Sequence, residues 1–294
     1  MLKGVSTPVS TQVSATLSRT RSASSLPSPP SSEPSDTAQL SSKEFKMLLQ
    51  PSKFEDVDKG IKKLWHKIED AAESVGVETK KAKKPEVRTQ DIVFLDTDDH
   101  ALKDQGFILR YRDIHGSSKD DNLTLKFRDS DAAKVAVSDV SAAPESAVKS
   151  KFELDETFGE TLGHVYSKST KVKLPELPET NVGAMSEVFP SLNQLGLEPS
   201  TKLKNLHEGL VEERHLLGNL QISESESAPA YLTLWYDQDH KETPAVAEFS
   251  FAHSAHEAHS GIDQNSEELM GFLRDDAPRW LSQGSTKTNF AYSE

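Results

Sequence analysis

The stretch GFILRYRD, residues Gly106–Asp113, constrains the fold more than any other part of the chain. Successive side chains of a β-strand point to opposite faces. One predicted face is therefore apolar and the other carries two arginines: Phe107, Leu109 and Tyr111 form the first, and Ile108, Arg110 and Arg112 form the second. Such a strand has an apolar face to bury and a strongly cationic face to accommodate.

The same division between faces recurs in four further segments: KEFKM, LTLKFR, KFELDE and AEFSF. Their polar faces carry charged or hydroxyl residues two apart: Glu44 and Lys46, Lys126 and Arg128, Glu153 and Asp155, and Glu248 and Ser250. A sheet with one solvated face would account for each strand taken alone. Taken together, the charges favour a sheet curled into a barrel, with charged faces inward and helices over the apolar outer face.

A cavity lined by both signs of charge suits one kind of ligand. Arginine and lysine neutralise the dense negative charge of a polyphosphate, arginine through forked hydrogen bonds and lysine as a point charge. Carboxylates would repel the same ligand unless a divalent cation bridged them, and their oxygens are the hard ligands that Mg²⁺ or Mn²⁺ prefers. The pattern therefore predicts a polyphosphate partner with Mg²⁺ or Mn²⁺.

Composition bounds the remaining function classes. Residues 1–40 are rich in Ser and Pro and are predicted to be a disordered tail, which leaves 41–294 as one domain. The tail carries a net charge of +1 and the whole chain −13, so the domain is acidic and no nucleic-acid partner is expected. No membrane partner is expected either, because no apolar run is long enough to cross a bilayer. The absence of cysteine fits a cytoplasmic protein, although a tail with arginine and much serine leaves organellar targeting open.

Hydrophobic periodicity predicts an α+β domain with helices near its ends. An amphipathic helix is expected in SKFEDVDKGIKKLWHKIEDAAESVGV, and another at about 265–282, where Pro278 would kink or end it. Residues 170–210 are predicted to be a connecting insertion with one helix near VGAMSEVF. Strands are expected in the five segments above and in DIVFLD, VEERHLLGNLQI and AYLTLWYDQD.

In their order and spacing these motifs resemble the CYTH domain of the triphosphate tunnel metalloenzymes, a family that includes inorganic triphosphatase, thiamine triphosphatase and class IV adenylate cyclase. The family signature E-x-E-x-K is similar to residues 42–46, SKEFK, and FLDTDDHALKDQGFILRYR is similar to its aspartate-threonine turn and R-x-R strand. LTLKFR, KFELDE, EERHLL, AEFSF and GSTKTNFAY are similar to its later strands and closing lysine motif. The resemblance covers about residues 42–292 and implies an eight-stranded antiparallel β-barrel around a charged tunnel.

The resemblance implies metal-dependent hydrolysis of inorganic tripolyphosphate, thiamine triphosphate or a nucleoside triphosphate. The implied phosphate-binding residues are Lys46, Arg110, Arg112, Lys126, Arg214 and Lys287. The implied metal ligands are Glu44, Glu153, Asp155, Asp237 and Glu248. Lys46, Arg112 and Asp237 are the implied catalytic residues.

Two departures from the family pattern fall on the metal-binding side. Ser42 and Ser250 stand where the family has glutamates. A second hypothesis is therefore a domain that binds polyphosphate or a nucleotide without turning it over. Adenylate cyclase chemistry is a third, for which the sequence offers no recognisable adenine pocket. The Walker, dinucleotide, zinc-protease and hydrolase-elbow motifs are absent from the sequence.

Overall fold

The structure is a computed structural model that describes residues 39–144, 146, 148–255, 260–283 and 286–293. Apart from its last two positions, the predicted tail at 1–40 lies outside the described residues.

Strands and helices alternate along the described chain. The strands are β1 (Ser42–Leu49), β2 (Glu78–Asp96), β3 (Phe107–Ile114), β4 (Asn122–Asp129), β5 (Val148–Phe158), β6 (Leu162–Lys173), β7 (Lys204–Asn205), β8 (Val211–Gln221), β9 (Ser227–Tyr236) and β10 (Val246–Ser254). The helices are α1 (Val57–Ser74), α2 (Ala101–Asp104), α3 (Ala132–Val137), α4 (Val182–Val188), α5 (Ser260–Asp276) and α6 (Lys287–Ala291).

Nine of the strands close into a barrel in the order β3-β4-β6-β5-β1-β10-β9-β8-β2, and β2 pairs back with β3. The short β7 pairs with the end of β2. The predicted α+β barrel with external helices is thus confirmed. Its strand count is corrected from eight to nine within the described residues, and the barrel is mixed, because β1 and β5 pair in parallel.

The unpredicted strand is β6, LGHVYSKSTKVK, which pairs with both β4 and β5. Its outward positions are Tyr166, Lys168, Thr170 and Val172, so its outer face lacks the apolar alternation that marks the other strands. Lys168 is held there by two backbone carbonyls, those of Ala136 and Ser138, each 2.9 Å from its Nζ. The strand also corrects the predicted start of the insertion, because it continues to Lys173.

Helices α1 and α5 cover one side of the barrel. Asp56 caps α1 by accepting a hydrogen bond from the Lys59 amide at 3.1 Å, and Trp65 and Ile68 bury its apolar stripe. Trp65 and Ile68 belong to an apolar cluster that also includes outward side chains of β1, β9 and β10, such as Phe45 and Phe249. The predicted terminal helix starts earlier than expected and ends at Asp276, before Pro278, whose ring cannot continue an α-helix.

A second apolar cluster covers the opposite side, where α3, α4 and the segment after α4 pack on the outer faces of β3, β4 and β6. Leu109 and Tyr111 of β3 belong to this cluster, as the alternation in GFILRYRD predicts. No helix among the described residues is long and apolar enough to cross a membrane.

Candidate functional site

The barrel encloses a cavity of about 730 Å³ lined by the inward side chains of its strands. Eleven cations face it: Lys46, Lys103, Arg110, Arg112, Lys126, Arg128, Lys149, Lys151, Lys171, Arg214 and Lys287. Five carboxylates face it as well: Glu44, Glu153, Asp155, Glu212 and Glu248. An acidic chain therefore folds around a cavity whose wall is predominantly cationic.

Ten of the eleven site residues predicted from the sequence lie on this wall. Strand alternation places nine of them there, because each of the nine belongs to the polar face of a strand whose other face is buried. The tenth, Lys287, is the first residue of α6. The exception is Asp237. Their roles in binding or chemistry remain predictions.

Asp237 lies just after β9, which ends at Tyr236, and the structure does not bring it to the cavity wall. Its Oδ1 accepts hydrogen bonds from the amides of Asp239 and His240, at 2.9 and 2.8 Å, so the side chain stabilises a turn. Its Oδ2 lies 3.2 Å from Nε2 of His207. Asp237 is therefore engaged in a turn beside the cavity, and its role as a metal ligand or catalytic residue stays a prediction.

One wall of the cavity consists of acids and bases in direct contact. Asp155 lies next to Glu44 in the parallel β1–β5 register. Lys46 Nζ lies 2.9 Å from Glu44 Oε2 and 3.2 Å from Asp155 Oδ1. Asp155 also contacts Lys126 at 3.4 Å and Arg128 at 3.2 Å. We call these five residues the ion-paired wall.

The pKa values of this wall follow from burial and from its own charges. Burial alone would raise the pKa of Asp155, but Lys126, Lys46 and Arg128 outweigh it and hold that pKa far below its usual range. Burial alone would lower the pKa of Lys46, but Asp155 and Glu44 raise it. Both side chains are therefore charged at neutral pH.

The remaining predicted acids are paired too. Lys287 Nζ lies 2.7 Å from Glu248 Oε1. Glu153 Oε1 lies 2.8 Å from Lys151 Nζ and accepts a hydrogen bond from Ser42 Oγ at 3.0 Å. Each carboxylate on the wall that was predicted to bind metal is thus already neutralised by a lysine or an arginine.

The carboxylates of the cavity wall do not form a metal site by themselves. Within the residues that the structure describes, no three acidic, histidine or cysteine side chains are grouped closely enough to hold an ion. Moving Asp155 away to bind a metal would leave Lys126 without its ion pair. Binding of Mg²⁺ or Mn²⁺ remains a prediction from the sequence.

Strand β3, which pairs with β4 of the ion-paired wall, carries two arginines without such ion pairs in the described part of the chain. The Nε atoms of Arg110 and Arg112 are buried and have no hydrogen-bond partner among the described residues. Burial and the neighbouring Arg112 lower the pKa of Arg110. Since a guanidinium stays protonated in proteins, both side chains keep their charge in an unfavourable environment.

Glu212 lies close to these arginines, and the sequence analysis did not identify it as a site residue. It accepts hydrogen bonds from Trp235 Nε1, at 2.7 Å, and from Gln90 Nε2. Burial would raise its pKa, but Arg112, Lys287 and the Trp235 N–H lower it to about 2. Its position two residues before Arg214 is the signal that could have placed it on the same inward face.

Helix α6 brings its own side chains to one end of the cavity. Thr286 caps it by accepting from the Asn289 amide at 3.2 Å, and Thr288 Oγ1 accepts from Arg128 Nη1 at 3.0 Å. Behind them, Phe290 packs against Trp235 with ring centroids 6.5 Å apart.

Comparison with known proteins gave matches only among solved structures. No family model matches the chain, and no curated protein matches it. A candidate adenylyl cyclase from Hippeastrum, described as having a dominant triphosphatase activity, is 14% identical with a TM-score of 0.44 and covers 86% of this chain and 95% of its own. A candidate adenylate cyclase from Bacillus halodurans is 12% identical with a TM-score of 0.38, covering 86% of this chain and 100% of its own.

A candidate adenylate cyclase from Vibrio parahaemolyticus is 10% identical with a TM-score of 0.35, covering 86% of this chain and 99% of its own. The structures found are of the cyclase and triphosphatase kind that the motifs resemble. At these identities the likeness concerns the fold, and it leaves the activity of this chain to its own residues.

Proposed function

We propose that the barrel cavity binds a triphosphate-bearing small molecule and that the protein hydrolyses it. The observation that carries the proposal is a pair of cavity arginines, Arg110 and Arg112, whose buried Nε atoms have no hydrogen-bond partner among the described residues. Candidate substrates are inorganic tripolyphosphate, thiamine triphosphate and nucleoside triphosphates.

An anion of high charge density offsets the cost of this arrangement. An unpaired buried charge is strongly destabilising, whereas phosphate oxygens offer an arginine two parallel charge-assisted hydrogen bonds. Lys126 and Arg214 line the same cavity and supply further positive charge. The fold therefore keeps a site ready for phosphate groups.

Hydrolysis of a triphosphate requires stabilisation of negative charge more than covalent chemistry by the protein. A water molecule attacks the terminal phosphorus, the bond to the bridging oxygen breaks, and the shortened phosphate chain leaves with the electron pair. Negative charge spreads over the equatorial oxygens and the leaving oxygen. Lys46 and Arg112, predicted as catalytic from the sequence, lie on the cavity wall, where such fixed cations would stabilise that charge.

A second candidate is binding without turnover. It is favoured by the pairing of each predicted metal-binding carboxylate on the wall with a cation, and by two small residues on the same side of the barrel. Ser42 donates a hydrogen bond to Glu153, and Ser250 lies opposite Lys46 in the β1–β10 register. Neither serine offers a carboxylate to an ion.

One set of assays separates these candidates. Phosphate release would be measured with tripolyphosphate, ATP and thiamine triphosphate, in Mg²⁺, in Mn²⁺ and in EDTA, with cyclic AMP followed in the ATP arm. Calorimetric titrations would use the same ligands. Turnover that is lost in Arg112→Gln but kept in Lys173→Gln, a charge removal outside the cavity, supports the hydrolase. Tight binding without release supports the binder, and absence of both contradicts the site.

A further inference from the structure

The cavity carries a group of solvent-exposed cations, of which the motifs explain only Arg214. We call Arg88, Lys149, Lys171 and Arg214 the mouth cluster; the last three line the cavity and Arg88 lies beside Arg214. All four side chains are exposed. Lys149, Lys171 and Arg214 lie near an end of β5, β6 and β8, and Arg88 lies in the middle of β2.

The strand register brings these cations into opposed pairs. Lys149 lies directly across from Lys171 in the β5–β6 pair, and Arg88 lies directly across from Arg214 in the β2–β8 pair. Like charges directly opposite one another destabilise a sheet. Two such pairs at one end of one barrel are a cost that an ordinary solvated strand face avoids.

The mouth cluster also lacks the carboxylates that neutralise the ion-paired wall. Among the residues described by the structure, none of its four cations has a carboxylate within ion-pairing distance. Arg214 instead stacks over Tyr231, with its Cζ 3.7 Å from the ring centroid. Burial and the charges of Arg112, Arg110, Arg88 and Lys149 lower the pKa of Lys171 to about 8. The cations of the mouth therefore act on one another and on the arginines inside.

Arg112 connects the mouth to the interior. Burial, Arg214 and Arg88 lower its pKa, whereas Glu212 raises it, and Arg110 lies two residues back on the same strand face. A continuous row of cations thus runs from the mouth to the middle of the cavity, with Glu212 as the carboxylate near Arg112. A triphosphate held at Arg110, Arg112 and Lys126 would leave the outer part of this row without an anion.

We propose that the mouth cluster binds phosphate groups beyond the third, so that the preferred ligand is a linear inorganic polyphosphate longer than tripolyphosphate. The inference rests on the proposed function, because it assumes that phosphates occupy the cavity. Each added phosphate brings another negative charge to the outer cations, whereas a ribose or a base brings none. The cluster therefore selects for chain length and against a nucleoside.

The test is a calorimetric comparison of ligand lengths on the full chain. Tripolyphosphate, tetrapolyphosphate, a longer linear polyphosphate and ATP would be titrated into the wild type, the double variant Lys149→Gln/Lys171→Gln and Lys173→Gln. Lys173 is the matched control, because it is two residues from Lys171 on β6, exposed, and paired with Asp120 outside the cavity.

We expect the wild type to bind the longer polyphosphate about ten-fold more tightly than tripolyphosphate. The double variant should lose most of this preference, and Lys173→Gln should keep it. Equal affinity for all lengths, a preference that survives the double substitution, or tighter binding of ATP than of polyphosphate would overturn the inference. If tripolyphosphate still binds in those cases, the proposed function stands, whereas no binding of any phosphate would remove both.

Discussion

Glu44 of β1 lies directly beside Asp155 of β5 because these two strands pair in parallel, and the two carboxylates share Lys46. Two adjacent buried carboxylates would repel one another without that lysine. The carboxylates of β1 and β5 are thereby neutralised, whereas the buried Nε atoms of Arg110 and Arg112 on β3 have no hydrogen-bond partner among the described residues.

Removing divalent ions should leave anion binding largely intact. The arginines that we propose to bind phosphate belong to the protein, and the carboxylates on the other side are paired with cations. The affinity for tripolyphosphate in EDTA should therefore stay within about three-fold of its value in Mg²⁺, less than one hydrogen bond to a charged group contributes. A calorimetric titration in both buffers measures this, and complete loss of binding in EDTA would show that an ion bridges ligand and protein.

Binding should take up protons near pH 8. Burial and Arg128 lower the pKa of Lys126 to about 8, and the pKa of Lys171 is also about 8. A bound polyanion favours the charged lysines and raises both pKa values. Affinity should be greatest below pH 8 and fall as the pH rises through it.

Titrations at pH 8 in buffers of different ionisation enthalpy measure the protons taken up, and titrations at pH 6 are the control, since both lysines are already charged there. Replacing Lys126 by arginine, whose charge does not titrate, should reduce the uptake. Equal uptake at the two pH values would exclude these lysines as its source.

Glu212→Gln should lower the free energy of unfolding by about 1–3 kcal/mol, because an amide cannot accept from both Trp235 and Gln90 as the carboxylate does. Glu213→Gln on the neighbouring residue is the control, because Glu213 is less buried and contacts His215 at 3.3 Å. Urea unfolding of the three proteins measures the difference. An equal loss in both variants would assign the effect to strand β8 in general.

The same carboxylate predicts a dependence on pH. Its pKa is lowered in the folded state from 4.5 to about 2, so its contribution to stability is present above about pH 4.5 and is lost as the pH falls towards 2. Glu212→Gln should therefore lose less stability than the wild type between pH 4.5 and pH 2, as unfolding curves across that range would show. Identical slopes would mean that Glu212 titrates normally.

Lys171→Gln should stabilise the protein in the absence of ligand by up to about 0.5 kcal/mol, since it removes one like-charge pair of the β5–β6 ladder. Thermal unfolding compares it with Lys173→Gln, which removes a charge paired with Asp120 and should not stabilise. Added polyphosphate should raise the unfolding temperature of the wild type more than that of Lys171→Gln. The opposite order would argue against a binding role for Lys171.

The face of each charged strand was predictable from the sequence, because side chains alternate with a period of two and the apolar half must be buried. Arg110 and Arg112 on β3, and Glu153 and Asp155 on β5, face the cavity for that reason. The parallel pairing that places Glu44 beside Asp155 was not predictable, because it joins segments more than a hundred residues apart.

Other features depend on contacts that leave no local pattern. Strand β6 has little apolar alternation, since it carries Lys168 on its outer face. The Lys168 ammonium donates hydrogen bonds to the backbone carbonyls of Ala136 and Ser138 at the end of α3. Asp237 would face the cavity if β9 continued, because it lies two residues after the cavity-lining Trp235. The strand ends one residue earlier, at Tyr236, and the Asp237 carboxylate stabilises a turn instead. Side-chain alternation therefore predicts which face of the sheet a residue lies on only as far as the strand continues.

The most direct test of the central claim is a calorimetric titration of tripolyphosphate into the wild type and Arg112→Gln, with Lys173→Gln as the control. We expect Arg112→Gln to lose about ten-fold or more in affinity, as removal of a charge-assisted contact to phosphate requires, and the control to match the wild type. Equal affinities in all three proteins, or no binding to the wild type, would contradict a phosphate site at the unpaired arginines.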